Sequence, residues 1–366
     1  MIAKTSQFRK RHRAVMAAAL GCLLAAGAQA QVDIHIAGAV SLKDVAFKTF
    51  SDLYGSDLVS LNTDNAAKPA SANKLTFSGQ MKSLFGTQTV TLSVNYNGSG
   101  AAIQSLTLGT PVLFLANATP GDTNQAGHSI DVGFSVVFQR DYPYQTPVLK
   151  DEVYGVTPTI FVKSPQAPAS LTNLTSQHYR FIAANGAVPQ YVFTGNTNDT
   201  DLIYWIMRDI NAAHRIISAK EAGFSGSALA YVYNGDTWVL DPVGQPTWPA
   251  ILTMLANNFG PCVSFVPPPE AASLNPENIL SFNGYFPFRG TYSSVSNDFT
   301  PVITGQYTCW GYEHIMTRPN PAPNINAFAE ALKAGLQTNM VSSPYSIPLS
   351  RMRVGRNATG GVVTAE

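Results

Sequence analysis

The sequence is short of charge, and of basic charge above all. Charged residues make up 12% of the 366-residue chain, with 23 Lys+Arg against 22 Asp+Glu. Five of the basic residues and none of the acidic ones lie in the first 30 positions, so the rest of the chain holds 18 basic and 22 acidic residues, a net charge of −4. That part of the chain has no basic excess to bind phosphate backbones, which argues against nucleic acid as a partner.

Motifs for metal, nucleotide or nucleophilic chemistry are also missing. The six histidines show no ligand-pair spacing, and the chain has no C-x-x-C and no G-x-x-x-x-G-K-[ST]. The stretch GFSGS at residues 223–227 lacks the final glycine of G-x-S-x-G and follows a helical segment, whereas a nucleophile elbow follows a strand. We therefore expect no metal, no cofactor and no enzymatic activity.

Long apolar runs are rare, and the clearest one lies at the N-terminus. Residues 14–28 are apolar, they end in the small-residue pattern Ala28-Gln29-Ala30, and basic residues precede them: Lys4, Arg9, Lys10, Arg11 and Arg13. This arrangement predicts a secretory signal peptide over residues 1–30. No later stretch is long and apolar enough to span a bilayer. We expect a periplasmic or secreted protein that does not insert into the membrane after cleavage.

Cysteine is nearly absent from the predicted mature chain, which keeps only Cys262 and Cys309. In an oxidising compartment two cysteines are more often bridged than free, so the sequence predicts a disulfide between them. The bridge would close a loop of 46 residues. The alternative is a pair of buried thiols.

What the chain does contain is a succession of strand and helix patterns. Alternation and β-propensity predict strands over 32–39, 74–80, 89–96, 131–138 and 157–163. Helical spacing predicts helices over 41–55, 176–186, 212–224, 246–260 and 324–337, with Ser41 and Asn324 as caps. Asn234-Gly235 between β-rich flanks predicts a hairpin. Strands and helices in both halves, with a Ser/Pro-rich segment at 164–176, predict two α/β lobes with a cleft between them.

The turn in VNYNGSGAAIQSL, residues 94–106, is the first candidate binding element. A strand runs into Gly98, Ser99 and Gly100 and then into a helix. Such a turn directs several backbone N–H groups at one point, and helix N-termini favour anions. The sequence therefore predicts an anion site here, at the carboxyl end of a strand.

These segments, taken in order, resemble the phosphate-binding proteins of bacterial ABC transporters, in the type II periplasmic binding-protein superfamily. The resemblance is carried by NGSGAAIQSL, DVGFSVVFQ, TPTIFVK, RDINAAHR and TGQYTCWGYEH, and it covers most of the mature chain. It implies a two-lobed Venus-flytrap fold that closes on an oxyanion. Lobe I would span 31–160 with a C-terminal return at 286–366, and lobe II would span 161–285.

The resemblance transfers some binding residues and not others. It implies ligand-binding roles for Ser41, Gly98, Ser99, Gly100, Ser135, Arg208 and His214. Val40 stands where the family has Thr, and Val136 stands where it has the Asp that accepts a proton from the oxyanion. Ala212-Ala213-His214 replaces a Ser-Gly-Thr, while Arg208, Arg215 and His214 bring up to three positive groups to one loop. Each lost hydrogen bond to a charge is worth roughly 1.5–3 kcal/mol, so phosphate binding should be weak.

The resemblance implies an exported solute-binding protein for a small anion: phosphate, another oxyanion or a carboxylate. An ABC transporter permease would be its partner, and the protein would act as a monomer. A pH response of His214 would follow from its reference pKa near 6.5. Its other interpretation is a capping or surface residue. The substitutions also support an alternative function, in which the pocket has decayed and the protein is a secreted structural or interaction module.

Overall fold

The structure is a computed structural model that describes residues 31–39, 41–256 and 258–366. The predicted signal peptide, residues 1–30, and Val40 lie outside these residues. Within them the chain is mixed α/β, as the sequence predicted. The strands are β1 Val32–Gly38, β2 Leu58–Thr63, β3 Lys74–Gln80, β4 Thr89–Asn95, β5 Val112–Leu115, β6 Gln125–His128, β7 Val132–Ser135, β8 Lys150–Pro158, β9 Ile160–Lys163, β10 Asn173–Leu174, β11 Ala187–Pro189, β12 Leu202–Trp205, β13 Tyr231–Tyr233, β14 Trp238–Leu240, β15 Cys262–Val266, β16 Ile279–Phe282, β17 Trp310–Thr317, β18 Ile347–Pro348, β19 Val354–Gly355 and β20 Thr364–Ala365.

The α-helices are interspersed among these strands. They are α1 Lys43–Tyr54, α2 Lys82–Phe85, α3 Ser99–Leu108, α4 Ser176–Asn185, α5 Tyr191–Thr194, α6 Ala213–Glu221, α7 Trp248–Ala256, α8 Pro268–Ala271, α9 Thr300–Ile303 and α10 Pro323–Met340. The predicted hairpin is confirmed: β13 and β14 pair antiparallel around Asn234 and Gly235.

Two large sheets organise the molecule. The first has eight strands in the order β18-β8-β17-β7-β1-β4-β3-β2, and the second has six in the order β10-β16-β9-β15-β12-β11. In the first sheet β1 is parallel to both β4 and β7, and in the second β12 is parallel to β15. Parallel neighbours end at the same sheet edge, so the segments that follow them meet there.

The chain crosses from one sheet to the other at Thr159. The sequence predicted a single strand over 157–163, but β8 ends at Pro158 in the first sheet and β9 begins at Ile160 in the second. The predicted strand 131–138 is likewise shorter, Val132–Ser135. Its apolar continuation, Val136 and Val137, is buried in a loop, so burial there reflects packing and not strand structure.

The helices α1 and α10 cover one face of the eight-stranded sheet. In α1 the buried residues recur at helical spacing and include Val45 and Phe50. The predicted apolar face of α10 is confirmed, since Ile325, Phe328, Leu332 and Leu336 are all buried. They pack in one core cluster with the sheet. Full burial of an aliphatic or aromatic side chain contributes about 1.5–3 kcal/mol, which makes this contact a main source of stability for the sheet.

Both predicted helix caps are wrong. The helix α1 begins one residue later than a cap at Ser41 requires, with Leu42 at the N-cap and no side-chain cap. The helix α10 has Ala322 at its N-cap, and Asn324 lies inside the first turn after Pro323. A proline at the first helical position supplies the required φ and needs no amide partner, which explains the second start without a polar cap.

The predicted disulfide is also wrong, because both Cys262 and Cys309 are buried free thiols. Their backbones are tied to opposite ends of β9. The amide of Thr159 donates to the carbonyl of Cys309 at 2.9 Å, and the amide of Ser164 donates to that of Cys262 at 2.9 Å. Five residues of extended chain separate these two points by about 16 Å. A disulfide requires Cα atoms within roughly 7 Å, so the fold holds the thiols apart.

Candidate ligand-binding site

A cavity of about 590 Å³ opens where the strand ends of the two sheets face each other. On one side its wall comes from residues that follow β1, β4 and β7, among them Ala39, Gly98 and Val136. On the other side it comes from residues that follow β12 and β15, among them Arg208 and Glu270. A cleft at the carboxyl ends of parallel strands is where open α/β sheets bind ligands.

The structure brings some of the predicted site residues to this cavity and leaves others elsewhere. Those that line it are Ser41, Gly98, Arg208 and His214. Three others, Ser99, Gly100 and Ser135, are not part of its wall. The hydroxyl of Ser99 accepts from the amide of Val136 at 3.1 Å, and the Ser135 hydroxyl donates to the carbonyl of Val137 at 2.6 Å. These two hydroxyls support the loop after β7 from beneath.

The start of α3 is covered by the side chain of Tyr142. The Tyr142 hydroxyl donates to the carbonyl of Asn211 at 2.7 Å. It also lies within hydrogen-bonding reach of the Ser99 hydroxyl and the Gly100 amide. A Cβ at Gly100 would lie 2.9 Å from the tyrosine ring, so the glycine is required for this contact. Burial raises the pKa of Tyr142, so the hydroxyl stays protonated. The glycine-rich turn thus holds a tyrosine hydroxyl from its own chain.

His214 joins the two sides of the cavity and does not titrate near neutral pH. Its Nε2 lies 3.2 Å from the Ser41 hydroxyl and its Nδ1 lies 2.8 Å from the Thr159 hydroxyl. Burial, aided by the charge of Arg208, lowers the pKa of His214 to about 3. The predicted pH response of His214 is therefore wrong, since the ring is neutral throughout the physiological range.

Arg215, predicted as a further positive group of this loop, has a structural role. Its Nη1 donates to the carbonyls of Arg208 at 2.8 Å and Val243 at 3.0 Å. The side chain is buried and does not line the cavity. Three positive groups were predicted for this loop, Arg208, His214 and Arg215. Of these, Arg208 alone presents a charge to the cavity.

Ser41 and His214 have the separation of a nucleophile and its base, but their surroundings are not those of a hydrolytic site. The second ring nitrogen of His214 contacts the hydroxyl of Thr159, where a catalytic triad has a carboxylate. A base with a pKa of about 3 is too weak to activate a serine at neutral pH. The pair is a buried hydrogen bond between the two sides of the cleft, and it does not support catalysis.

The cavity contains two cations, Arg208 and Lys43. Arg208 lies over the ring of Trp248 at 4.6 Å, and it donates to the carbonyls of Gln245 and Pro246 and to Asp209. Lys43 donates to Asn73 at 2.7 Å. Burial lowers the pKa of both side chains, because a charge in a partly dry cavity loses solvation. Both remain the groups best placed to attract an anion.

The backbone of α6 adds two further donors. The cavity wall includes Ala213 and His214, the first two residues of this helix. Their amides have no hydrogen-bond acceptor among the residues that the structure describes. Unpaired amides at a helix start carry partial positive charge and favour an anion. The substitution of hydroxyl side chains by alanine leaves this backbone feature intact.

Two carboxyl groups share the cavity with the cations. Asp44 accepts hydrogen bonds from backbone amides at the start of α1, its own and that of Val45, while burial raises its pKa. Glu270 lies on α8, directly after β15, and burial raises its pKa to about 7. The sequence analysis missed Glu270 and Lys43. The signal available was position, since each begins the segment after a strand of a parallel pair.

No protein-family model and no curated protein sequence matches this chain. Solved structures do. A protein described as a phosphate ABC transporter substrate-binding protein from Clostridium perfringens, with bound phosphate, has a TM-score of 0.52 at 11% identity, covering 87% of this chain and 99% of that one. This chain has the type II periplasmic binding-protein fold. A phosphate transport receptor from Vibrio cholerae (TM-score 0.46, 15% identity, 84% and 97% covered) and an OxyR regulatory domain from Pseudomonas aeruginosa (0.41, 11%, 86% and 99%) are also similar.

The type II binding-protein fold thus predicted from the sequence is confirmed, and the identity of 11% limits the likeness to the fold. In the described part of the chain none of the helices has the length and hydropathy needed to cross a bilayer. The same residues contain no group of three or more His, Cys, Asp or Glu side chains arranged to hold a metal ion.

Proposed function

We propose that this protein is an exported solute-binding protein, and that it takes a small organic anion in the cavity between its two sheets. Each sheet would be the core of one lobe, with lobe I at 31–160 and 286–366 and lobe II at 161–285. The observation that carries the proposal is the convergence on one cavity of Lys43, Arg208 and the two α6 amides that have no acceptor among the described residues. Charge-assisted hydrogen bonds of this kind are the strong ones.

The size of the cavity favours an organic anion over phosphate. About 590 Å³ lies within the range of pockets that hold drug-sized molecules. Aromatic rings and prolines form much of the wall, including Tyr96, Trp248 and Tyr345. Apolar walls suit a ligand with a carbon skeleton. The covered start of α3 and Val136 in place of a carboxylate both argue against tight phosphate binding.

Isothermal calorimetry of residues 31–366 at low salt tests the proposal, with phosphate, sulfate and small carboxylates as ligands. Lys43→Met removes a cavity charge, and Lys48→Met is the matched control, because Lys48 lies on the same helix in an exposed pair with Asp52. Loss of a charged hydrogen bond costs roughly 1.5–3 kcal/mol, which is about 10- to 150-fold in Kd. We expect that loss for Lys43→Met only. Equal affinities of the two variants would contradict the proposal.

We also propose an ABC transporter permease as the partner and the periplasm or the exterior as the location. Support comes from the fold of the Clostridium perfringens protein and from the signal-peptide pattern in residues 1–30. The test is uptake of the calorimetrically identified ligand by cells with and without this gene. Equal uptake rates would argue against a transport role and leave binding in place.

One observation favours a second candidate, an interaction module without a ligand. Tyr142 joins the start of α3 to Asn211 near α6, so side chains of the protein already bridge the cleft. If the cleft is permanently closed in this way, no solute should stabilise the protein. A bound ligand raises stability by RT ln(1 + [L]/Kd), so an unchanged melting temperature across the whole panel would favour this candidate.

A further inference from the structure

Two buried polar atoms in the cavity wall lack a hydrogen-bond partner within the described residues. They are Oε2 of Glu270 and the hydroxyl oxygen of Tyr96. An unsatisfied buried polar group costs about 1–3 kcal/mol, and native proteins contain few of them. Two in one cavity mark the places where groups of a ligand belong. One of them, the Glu270 carboxyl, is an acceptor when ionised.

Glu270 is the carboxyl group of this cavity whose Oε2 is buried without a hydrogen-bond partner among the described residues. Asp44 accepts from two amides at the start of its own helix, whereas Glu270 accepts from its own amide and its Oε2 lacks a partner within the described residues. The charges of Lys43 and Arg208 act on Glu270, but neither side chain forms an ion pair with it; Lys43 donates to Asn73 and Arg208 pairs with Asp209. A buried carboxylate needs an opposite charge or several donors, so the free oxygen calls for a donor on the ligand.

The surroundings of that oxygen favour a positively charged donor. Burial raises the pKa of Tyr345, and the charges of Asp44 and Glu270 raise it further, which places its hydroxyl near both carboxyls. The Tyr345 ring lines the cavity, and no cation of the described residues lies over it. By contrast, Lys43 lies over Tyr96 and Arg208 lies over Trp248. Aromatic faces attract ammonium groups by about 0.5–2 kcal/mol. The other end of the ligand should be anionic, because Lys43, Arg208 and the α6 amides without an acceptor among the described residues also line or face the cavity.

We infer that the ligand is a small organic zwitterion, whose ammonium group is held by Glu270 and whose oxyanion end is held by Lys43 and Arg208. This inference rests on the proposed function and specifies its ligand class. The four charged side chains of the cavity, two cations and the carboxyls of Asp44 and Glu270, match a ligand with no net charge. A simple anion would leave the Glu270 oxygen without a partner.

Matched ligand pairs separate the two contributions in calorimetry of residues 31–366. Each pair shares an anionic head and differs only in the amine: taurine and ethanesulfonate, β-alanine and propionate, 2-aminoethylphosphonate and ethylphosphonate. We expect the amine to improve affinity at least tenfold in one or more pairs. Glu270→Gln should reduce that gap to less than threefold and leave the amine-free ligand unchanged. Glu277→Gln, at an exposed position nearby, is the matched control.

A second readout on the wild-type chain is the pH dependence of the affinity difference between the two ligands of each pair. The groups whose charges act on Glu270 or respond to it are Lys43, Arg208, Tyr292 and Tyr345. The two phenols, whose pKa values are raised, stay neutral between pH 6 and 8, while Glu270, with a pKa of about 7, ionises in that interval. The ionised fraction of Glu270 then rises about tenfold from pH 6 to pH 8. The affinity for the amine-containing ligand of each pair should rise by the same factor. The Glu270→Gln variant should show no such rise.

The outcomes distinguish this inference from the proposal beneath it. If amine-free anions bind as tightly as their partners, the zwitterion assignment is overturned while solute binding stands. If Glu270→Gln leaves the amine gap intact, another group holds the ammonium and the inference fails. If no member of the panel binds and Lys43→Met has no effect, the proposed function itself fails, and the inference fails with it.

Discussion

Glu313 lies near the middle of β17, in the interior of the eight-stranded sheet, and none of its surface is exposed. The amide of Ser41 donates to its Oε1 at 3.2 Å, and the hydroxyl of Tyr154 donates to its Oε2 at 3.2 Å. Burial raises the pKa of Glu313 from 4.5 to about 7, against the opposing effect of these hydrogen bonds. The carboxyl thus supports the first loop of the cavity and titrates near neutrality.

A raised pKa in the folded state means that ionisation of Glu313 costs stability. The contribution of Glu313 to the unfolding free energy is most favourable below the unfolded pKa of 4.5, and it is lost as the pH rises through about 7. One pKa unit corresponds to about 1.36 kcal/mol, so the cost is about 1.4 kcal/mol at pH 5.5 and about 3.4 kcal/mol at pH 8.5. Glu313→Gln cannot ionise and resembles the protonated acid in shape. Relative to wild type, it should gain about 2 kcal/mol of unfolding free energy between these two pH values.

Urea unfolding of wild type and Glu313→Gln at pH 5.5 and 8.5 measures this difference of differences. Taking that double difference cancels the titration of other groups, Glu270 included, as long as they are independent of Glu313. Glu277→Gln is the control, because an exposed carboxyl should give a double difference near zero. A value for Glu313→Gln within about 0.5 kcal/mol of zero would refute the assignment of a raised pKa to this buried carboxyl.

Three further predictions follow from the site and the core. Tyr142→Ala uncovers the start of α3 and should tighten sulfate or phosphate binding at least tenfold by calorimetry; an unchanged or weaker affinity would show that the turn does not accept anions. Trp248→Leu removes the ring under Arg208, so anion affinity should fall about twofold to thirtyfold, which corresponds to about 0.5–2 kcal/mol. An unchanged affinity would show that this cation–π contact does not contribute to binding. In guanidinium without reductant, Ellman's reagent should titrate two thiols per chain, Cys262 and Cys309. A result of no reactive thiol would show that the two cysteines form a disulfide after all.

The sequence was sufficient for the fold because its periodic patterns are long and agree with one another. The apolar face of α10 packs in one core cluster with apolar residues of β1, β3 and β4, which are strands of the first sheet. The crossing at Thr159 was not predictable in this way. The sequence pattern of a buried apolar segment is the same whether it forms one strand or two strands in different sheets, since both environments are fully buried.

The candidate site was predictable in part, where the backbone determines it. Gly98 and Arg208 follow strands and reach the cavity as expected. Ser99 and Gly100 do not, because Tyr142, more than forty residues further along the chain, covers them. The protonation states were also beyond a sequence, since the shifts at His214 and Glu270 come mainly from burial by distant segments.

The position of β17 has a consequence for how the chain acquires its structure. This strand lies between β7 and β8 in the first sheet, yet about 150 residues separate it from the end of β8. The six-stranded sheet, by contrast, is built from one continuous stretch, β9 to β16. During synthesis at roughly 5–20 residues per second, β7 and β8 wait about 10–30 seconds with open edges. Unpaired edges recruit other strands. A chaperone that protects the edges of β7 and β8 during synthesis or export should therefore matter more for yield than any later step.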